Sequence, residues 1–188
     1  MLDAAAALFL RHGFAATSIE AIATAAGVSK RTLYARFTGK EAVFLAVVQR
    51  LIGTWLAGFD AAVEAAPSLE AALLAAGQRM LAVALTPSAL ALHRLMVAEA
   101  GRFPELATAL RDAGARSGIE RLCRVLHMHC PDADPVWLAF LAEQFQHLVL
   151  AGPQSRAMGL GTSLDASALE AWCRDSVTLF LRGLPPSR

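Results

Sequence analysis

The strongest constraint on the fold of this chain lies in residues 18–37, where two short helical segments flank a sharp turn. The first segment, SIEAIATAA, ends at Gly27, and Ser29 can cap a second segment that we predict over residues 30–37. Glycine adopts the left-handed backbone angle that closes such a turn. Because Ala23 is small, the two helices can cross closely. This arrangement predicts a helix-turn-helix unit.

Two further signals support this unit. Thr17 and Glu20 have the spacing of a capping box, in which the hydroxyl and the carboxylate each bind an unpaired backbone amide. We therefore expect Thr17 to cap the first helix of the pair. The residues that we expect to form the shared core are Ile22, Ala26, Val28 and Leu33.

The second helix of the unit has a basic, hydrogen-bonding face. Residues 1–50 hold six basic and three acidic side chains, whereas the rest of the chain holds 11 basic and 13 acidic ones. A basic region indicates a polyanionic partner. In a helix-turn-helix unit the second helix lies in the major groove of DNA, with its N-terminal residues at the base edges. We therefore predict that residues 29–37 face a DNA duplex.

The rest of the chain has the pattern of helices separated by turns. Hydrophobic residues make up 56% of the sequence, which excludes a disordered chain. Alanine and leucine dominate, and no strand alternation is visible, so we predict an all-α fold with about nine helices. The one clear long loop is predicted at 152–163, GPQSRAMGLGTS. The expected helices lie near residues 2–12, 18–26, 30–37, 40–65, 68–85, 88–100, 104–129, 134–151 and 165–183.

No apolar run reaches the roughly 18 residues that a membrane span needs. The apolar start, AAAALFL, follows Asp3 and not a basic leader, so we expect no signal peptide and no membrane partner. The sequence thus predicts a cytoplasmic protein. Three cysteines in such a compartment are expected to be reduced thiols.

Residues 2–44, LDAAAALFLRHGFAATSIEAIATAAGVSKRTLYARFTGKEAVF, resemble the DNA-binding domain of TetR-type transcriptional repressors. The distinctive pieces are GFAATSIEAIA, AGVSKRTLYARF and the lysine-glutamate pair that opens the fourth helix. Two later stretches, LHRLMVAEAGRFPELATAL at 92–110 and SVTLFLRGL near the end, are similar to the C-terminal region of the AefR-like branch.

The resemblance implies a homodimer that binds a palindromic operator. Residues 1–45 would form a three-helix DNA-binding domain with the helix-turn-helix, and residues 46–188 a helical effector-binding and dimerisation domain. The implied function is a repressor released by a small hydrophobic effector, without cofactor, although these residues do not separate repressor from activator. The alternative is a helical dimeric DNA-binding or scaffold protein without an effector.

The resemblance also implies DNA contacts. Phosphate-contacting positions would be Thr17, Tyr34 and Lys40, and the start of the recognition helix would be Ser29, Lys30, Arg31 and Thr32. Arginine can bind guanine with two parallel hydrogen bonds, but most protein–DNA hydrogen bonds go to phosphate, so both roles stay open for Arg31. Arg36 is either a surface charge or a weaker contact. Many relatives carry a basic arm before the first helix, and we expect no such contact here.

Large apolar residues with a few polar ones suggest an effector pocket between the middle helices. The candidates are Trp55, Phe59, Met80, His93, Met96, Phe103, Trp137, Phe140, Gln144 and His147; each is also compatible with ordinary core or interface. The helices near 134–151 and 165–183 are apolar over more than one face, so we predict that they meet their copies in a four-helix dimer seam.

The sequence gives less support to a metal site, a redox site or an enzyme active site. Cys123, His127 and Cys130 share one helical face, as zinc or redox residues would, but one helix rarely closes a tetrahedral site. We therefore predict no metal and a packing role for these thiols. No Ser-His-Asp order, phosphate loop or paired carboxylate motif indicates an enzyme. Glu99 is the one mid-chain carboxylate in a strongly apolar setting.

Overall fold

The computed structural model describes residues 1–56, 63 and 66–184, apart from the side chains of 55–56, 105–107 and 109–117. These residues form helices and turns, and no strand occurs among them, which confirms the predicted all-α fold. In chain order the helices are α1 (Leu2–Ala16), α2 (Ile19–Ala25), α3 (Lys30–Tyr34), α4 (Lys40–Leu56), α5 (Leu69–Ala84), α6 (Pro87–Glu99), α7 (Pro104–His129), α8 (Pro135–Ala157) and α9 (Ala166–Gly183).

Most predicted helix starts are confirmed, because side-chain caps bind the first free amides. Ser68 accepts a hydrogen bond from the Ala71 amide at 3.2 Å before α5. Asp165 accepts one from Ala168 at 2.8 Å before α9. The helix predicted over 40–65 is present as far as Leu56, and most of its remainder lies outside the described residues.

The chain divides into two compact units, Met1–Trp55 with Ala91–Arg116, and Leu56–Leu90 with Ser117–Arg188. Helices α6 and α7 each contribute residues to both units. The functional division predicted at residue 45 stays a prediction.

The core of the first unit is built on aromatic rings. Phe9 and Phe14 are fully buried, and Phe44 is 2% exposed. The Phe9 and Phe44 rings meet edge to face with centroids 4.8 Å apart, and Phe103 meets Phe14 in the same way at 5.0 Å. Such pairs add stability beyond their buried area. Leu92 and Leu95 of α6 belong to the same core, so a later part of the sequence completes the N-terminal unit.

The predicted cap of α2 is wrong by one residue. Ser18, not Thr17, accepts the hydrogen bond from the Ala21 amide, at 3.1 Å. The Thr17 hydroxyl instead donates to the Gly13 carbonyl at 2.7 Å. Gly13 has φ +85° and ψ 167°, so the helical backbone of α1 breaks there. The broken turn exposes a carbonyl that Thr17 satisfies, and the cap passes to the next residue.

Helices α5, α8 and α9 form the main layers of the second unit. Phe145 of α8 and Cys173 of α9 are fully buried, as are Leu73 and Ala76 of α5. Helices α5 and α9 approach closely because Gly77 lacks a side chain: a Cβ there would lie 2.7 Å from the Cys173 sulfur. This core explains why the apolar positions of these helices are buried on one side.

The loop predicted over 152–163 is wrong in its first half, because α8 continues through Pro153 to Ala157. Proline removes the amide that would bind the carbonyl four residues earlier, here that of Val149. The Trp172 indole N–H donates to that carbonyl at 3.1 Å instead. Gly152 leaves room for the indole, since a Cβ there would lie 2.6 Å from the ring. A tryptophan from α9 therefore replaces the missing hydrogen bond.

Within the described ranges, no single helix has both the length and the apolar character needed to cross a membrane, although the bent pair α5 and α6, at 75°, passes on length and composition alone.

Candidate nucleic-acid interface

The turn between α2 and α3 has the geometry that the sequence predicts. Gly27 adopts φ +64°, and the Val28 amide donates to the Ala23 carbonyl at 3.0 Å. This six-residue hydrogen bond, with a left-handed glycine before its donor, is a Schellman motif. Ser29 then caps α3 by accepting from the Thr32 amide at 3.1 Å. The two helices are thus joined by a fixed turn.

Helix α3 is anchored by one residue and exposes the others. Leu33 is 1% exposed and packs with Ile22 in the core of the first unit. Helix α3 ends at Tyr34, three residues before the predicted end at Phe37. The predicted DNA-contacting side chains that lie on the exposed surface are Ser29, Lys30, Arg31, Thr32 and Tyr34. The polar face is therefore available to a partner, as a recognition helix requires.

The exposed cations of α3 differ in their surroundings. Lys30 forms an ion pair with Glu20 of α2, which sequence reasoning had placed in a capping box. The hydrogen bond from Lys30 is the largest of the effects that lower the pKa of Glu20 below its ordinary value. Among the described residues, the Arg31 guanidinium has no ion-pair partner. Arg31 is therefore the more available of the two cations for DNA.

Lys40 occupies the start of α4 and points at the end of α1. Its ammonium donates to the Phe14 carbonyl at 2.9 Å and to the Ala15 carbonyl at 3.3 Å. It also lies 4.5 Å from the centroid of the Phe14 ring. A cation at the carbonyl end of a helix is favourable. Two of the three ammonium donors are therefore engaged within the protein, which leaves one for a phosphate.

Thr17 has a different environment from the other predicted contacts. It is 3% exposed, and its hydroxyl proton is directed to Gly13 within α1. Sequence reasoning missed two residues near this region, Glu20 as the partner of Lys30 and Glu99, which accepts a hydrogen bond from the Ala15 amide at 3.4 Å. The only sequence signal for Glu99 is its acidic side chain in an apolar stretch.

Family comparisons agree with this geometry. Residues 1–47 match the model of bacterial regulatory proteins of the tetR family, and residues 71–183 match the C-terminal domain of AefR-like transcriptional repressors. The second match alone spans more than half of the chain. The chain belongs to the TetR family. This membership places it among DNA-binding transcriptional regulators, and the relatives that it matches are regulators and not enzymes.

Individual TetR-family proteins show how far the likeness extends. The structure of a regulator from Mesorhizobium loti is similar at a TM-score of 0.81 and 29% identity, covering 96% of this chain and 93% of that one. The flavonoid-responsive regulator FrrA is 32% identical at a TM-score of 0.77, covering 100% and 96%. The repressor ComR of Escherichia coli is 45% identical over 60 residues, and the match spans 32% of this chain and only 29% of ComR.

The described residues predicted for an effector pocket belong to both compact units. Met96 and Phe103 pack against the core of the first unit, and Met80 packs against that of the second. His93 is half-buried in α6. The side chain of Trp55 and all of Phe59 lie outside the described residues. The four candidates on α8 lie on its exposed side: Trp137, Phe140, Gln144 and His147.

The cysteines do not gather into a metal site within the described part of the chain. Burial raises the pKa of the Cys173 thiol, and burial together with the charge of Glu120 raises that of Cys123. Cys123 and Cys130 are half-buried, whereas His127 is exposed. A raised thiol pKa disfavours the thiolate, which is the form that binds metals and attacks disulfides. This environment suits thiols that pack as small apolar groups.

Proposed function

We propose that this TetR-family regulator is a homodimeric repressor that binds a palindromic operator and is released by a small hydrophobic effector. The main support is the construction of α3, in which buried Leu33 anchors a helix whose polar N-terminal half is exposed. In a dimer, two such helices about 34–36 Å apart would enter successive major grooves on one face of DNA.

We assign the DNA contacts in two groups. Ser29, Arg31, Thr32 and Tyr34 contact DNA directly, and Lys30 does so once it leaves Glu20. Thr17 and Lys40 act mainly by holding the end of α1, and the third donor of Lys40 reaches a phosphate. The exposure of the first group and the internal hydrogen bonds of the second support this division.

Arg31→Ala tests the direct contact. If Arg31 reads a base, the variant should lose about 1–3 kcal/mol of discrimination at one base-pair position of each half-site. The measurement is binding to duplexes selected by the wild-type protein from a random pool, with each base pair then varied. Arg36→Ala, also an exposed arginine near α3, is the control. Uniform weakening on all duplexes would instead assign Arg31 to phosphate.

The effector is proposed as a small hydrophobic compound, since the C-terminal region is AefR-like and a relative of similar length is named as responsive to flavonoids. Met80, His93, Met96 and Phe103 remain the described candidates for a pocket, with Trp55 and Phe59 beyond the described side chains. On the exposed side of α8, Trp137 and Phe140 suit a surface between two copies better than a pocket, and Gln144 and His147 remain pocket candidates.

A titration with planar aromatic compounds, flavonoid aglycones first, tests this part. Binding of the selected duplex should weaken about 5- to 150-fold at saturation, as is typical of coupling between two sites. Polar mono- and disaccharides of similar size serve as the control series, and they should leave operator affinity unchanged. If neither aromatic nor aliphatic hydrophobic compounds alter operator affinity, the alternative of a DNA-binding dimer without an effector is favoured.

A further inference from the structure

The break in α1 at Gly13 is held by side chains from other positions of the chain. We call residues 13–17 the Gly13 kink. The Thr17 hydroxyl donates to the Gly13 carbonyl at 2.7 Å, and Lys40 binds the next two carbonyls, of Phe14 and Ala15. The carbonyls of residues 13, 14 and 15 therefore each have a side-chain donor, which holds the path of the chain into α2.

Glu99 binds a backbone amide of the same segment. Its Oε1 accepts a hydrogen bond from the Ala15 amide at 3.4 Å. A Cβ on Gly13 would lie 3.9 Å from that oxygen, so the carboxylate lies directly beside the break. The Ala15 residue is thus bound at its carbonyl by Lys40 and at its amide by Glu99. Glu99 ends α6, far outside residues 1–47, which match the DNA-binding family.

Stability alone does not account for a glutamate at this position. The second oxygen of Glu99, Oε2, is buried and has no hydrogen-bond partner among the described residues. Its ion-pair partner, the Arg102 guanidinium, is 3.9 Å away, beyond hydrogen-bond distance. The side chain is only 15% exposed, and a Cβ on Gly13 would lie 3.9 Å from both its Oε1 and the Leu95 side chain. A buried oxygen that lacks a hydrogen-bond donor is destabilising, so we expect an apolar residue of similar size to be accommodated here without loss of stability.

We propose that Glu99 is a positioning residue for DNA binding. By holding the Ala15 amide it fixes the Gly13 kink, and the kink leads through Thr17 to the Ser18 cap of α2. Helix α2 packs on α3, so the orientation of the recognition helix depends on this kink. The residue contributes to operator binding without touching DNA, and the destabilising oxygen is tolerated because the other oxygen has this role.

The test compares Glu99→Leu with Glu99→Gln in the full-length protein. Glutamine keeps an oxygen that can accept from the Ala15 amide, whereas leucine fills the space without an acceptor. We expect the leucine variant to bind the selected duplex about three- to tenfold more weakly, the range of one hydrogen bond. Its thermal unfolding midpoint should equal or exceed that of the wild type. The glutamine variant should bind within about twofold of the wild type.

Two further measurements distinguish positioning from general damage. The slope of affinity against salt should be unchanged in both variants, because no phosphate contact is removed. The Ala15 amide should exchange with solvent faster in the leucine variant only. Glu120, exposed on α7, provides the control pair Glu120→Leu and Glu120→Gln, which should leave DNA affinity unchanged. If leucine prevents folding, Glu99→Met replaces it.

Equal affinity of the leucine and glutamine variants overturns the proposal, whether both bind as the wild type does or both lose affinity together. A leucine variant that loses stability in proportion to its affinity also overturns it, since the role would then be structural. Only a selective loss in the leucine variant, with stability retained, supports positioning.

Discussion

At the scale of single residues, Glu20 offsets one of the cations on the proposed DNA-binding face. It pairs with Lys30, and both side chains are more than half exposed, so the pair adds little to stability. Because the pairing lowers the pKa of Glu20, its small contribution is present at neutral pH and is lost only as pH falls through the lowered value. The larger effect is on binding, because a carboxylate beside the recognition helix offsets one cation.

Glu20→Gln should therefore increase affinity for DNA of any sequence. Lys30 would become free for a phosphate, and the slope of log affinity against log salt should steepen by about one. The measurement is a salt titration on a mixed-sequence duplex, with Glu120→Gln as the matched loss of one negative charge elsewhere. An unchanged slope would show that Lys30 does not reach phosphate even when unpaired.

At the scale of elements, a backbone carbonyl of α8 receives its hydrogen bond from a side chain of α9. Pro153 lacks the amide that would bind the Val149 carbonyl, and the Trp172 indole supplies it. Arg156 lies 5.5 Å from the centroid of the same ring. Proline inside a helix usually ends or kinks it. Here α8 continues for another turn because α9 satisfies the carbonyl.

Trp172→Phe should lower the free energy of unfolding by about 1–3 kcal/mol, since the Val149 carbonyl loses its donor. In a Pro153→Ala background the same substitution should lower the free energy of unfolding by less, because alanine restores a backbone amide that can bind that carbonyl. Chemical denaturation of the four proteins gives this coupling energy directly. If Trp172→Phe lowers the free energy of unfolding equally in both backgrounds, the indole does not replace the amide that Pro153 lacks.

At the scale of the whole molecule, α8 has two apolar faces with different surroundings. Leu138, Phe145 and Val149 are buried in the core, whereas Trp137 and Phe140 are 41% and 47% exposed and their rings stack at 5.3 Å. Exposed apolar patches mark interaction surfaces. We therefore infer that the second face, together with Leu179 on α9, is the surface on which two copies meet.

On this proposal of a dimer, Phe140→Asp should leave the protein monomeric, because a buried unpaired charge at an interface is strongly destabilising. Light scattering should show half the mass, and affinity for a palindromic duplex should fall because the two half-sites are no longer bound together. Leu160→Asp, at a residue 78% exposed in the turn after α8, is the matched control and should remain dimeric. A Phe140 variant that keeps its dimeric mass would place the interface elsewhere.

The sequence predicted those features that depend on local chemistry. The order of helices, the glycine turn after α2, the Ser29 cap and buried Leu33 follow from propensity, capping and periodicity, which act within a few residues. The family could also be recognised, because its most distinctive residues lie within one continuous stretch.

Features that depend on distant partners required the tertiary structure. Thr17 and Lys40 are predicted phosphate contacts, and the structure adds that their side chains bind the carbonyls of residues 13 to 15. The Val149 carbonyl before Pro153 meets the Trp172 indole, and the Ala15 amide of the Gly13 kink meets Glu99, 84 residues later. A local pattern shows which donors and acceptors a segment carries, but only the packed chain decides which of them meet, because that choice depends on where other elements place theirs.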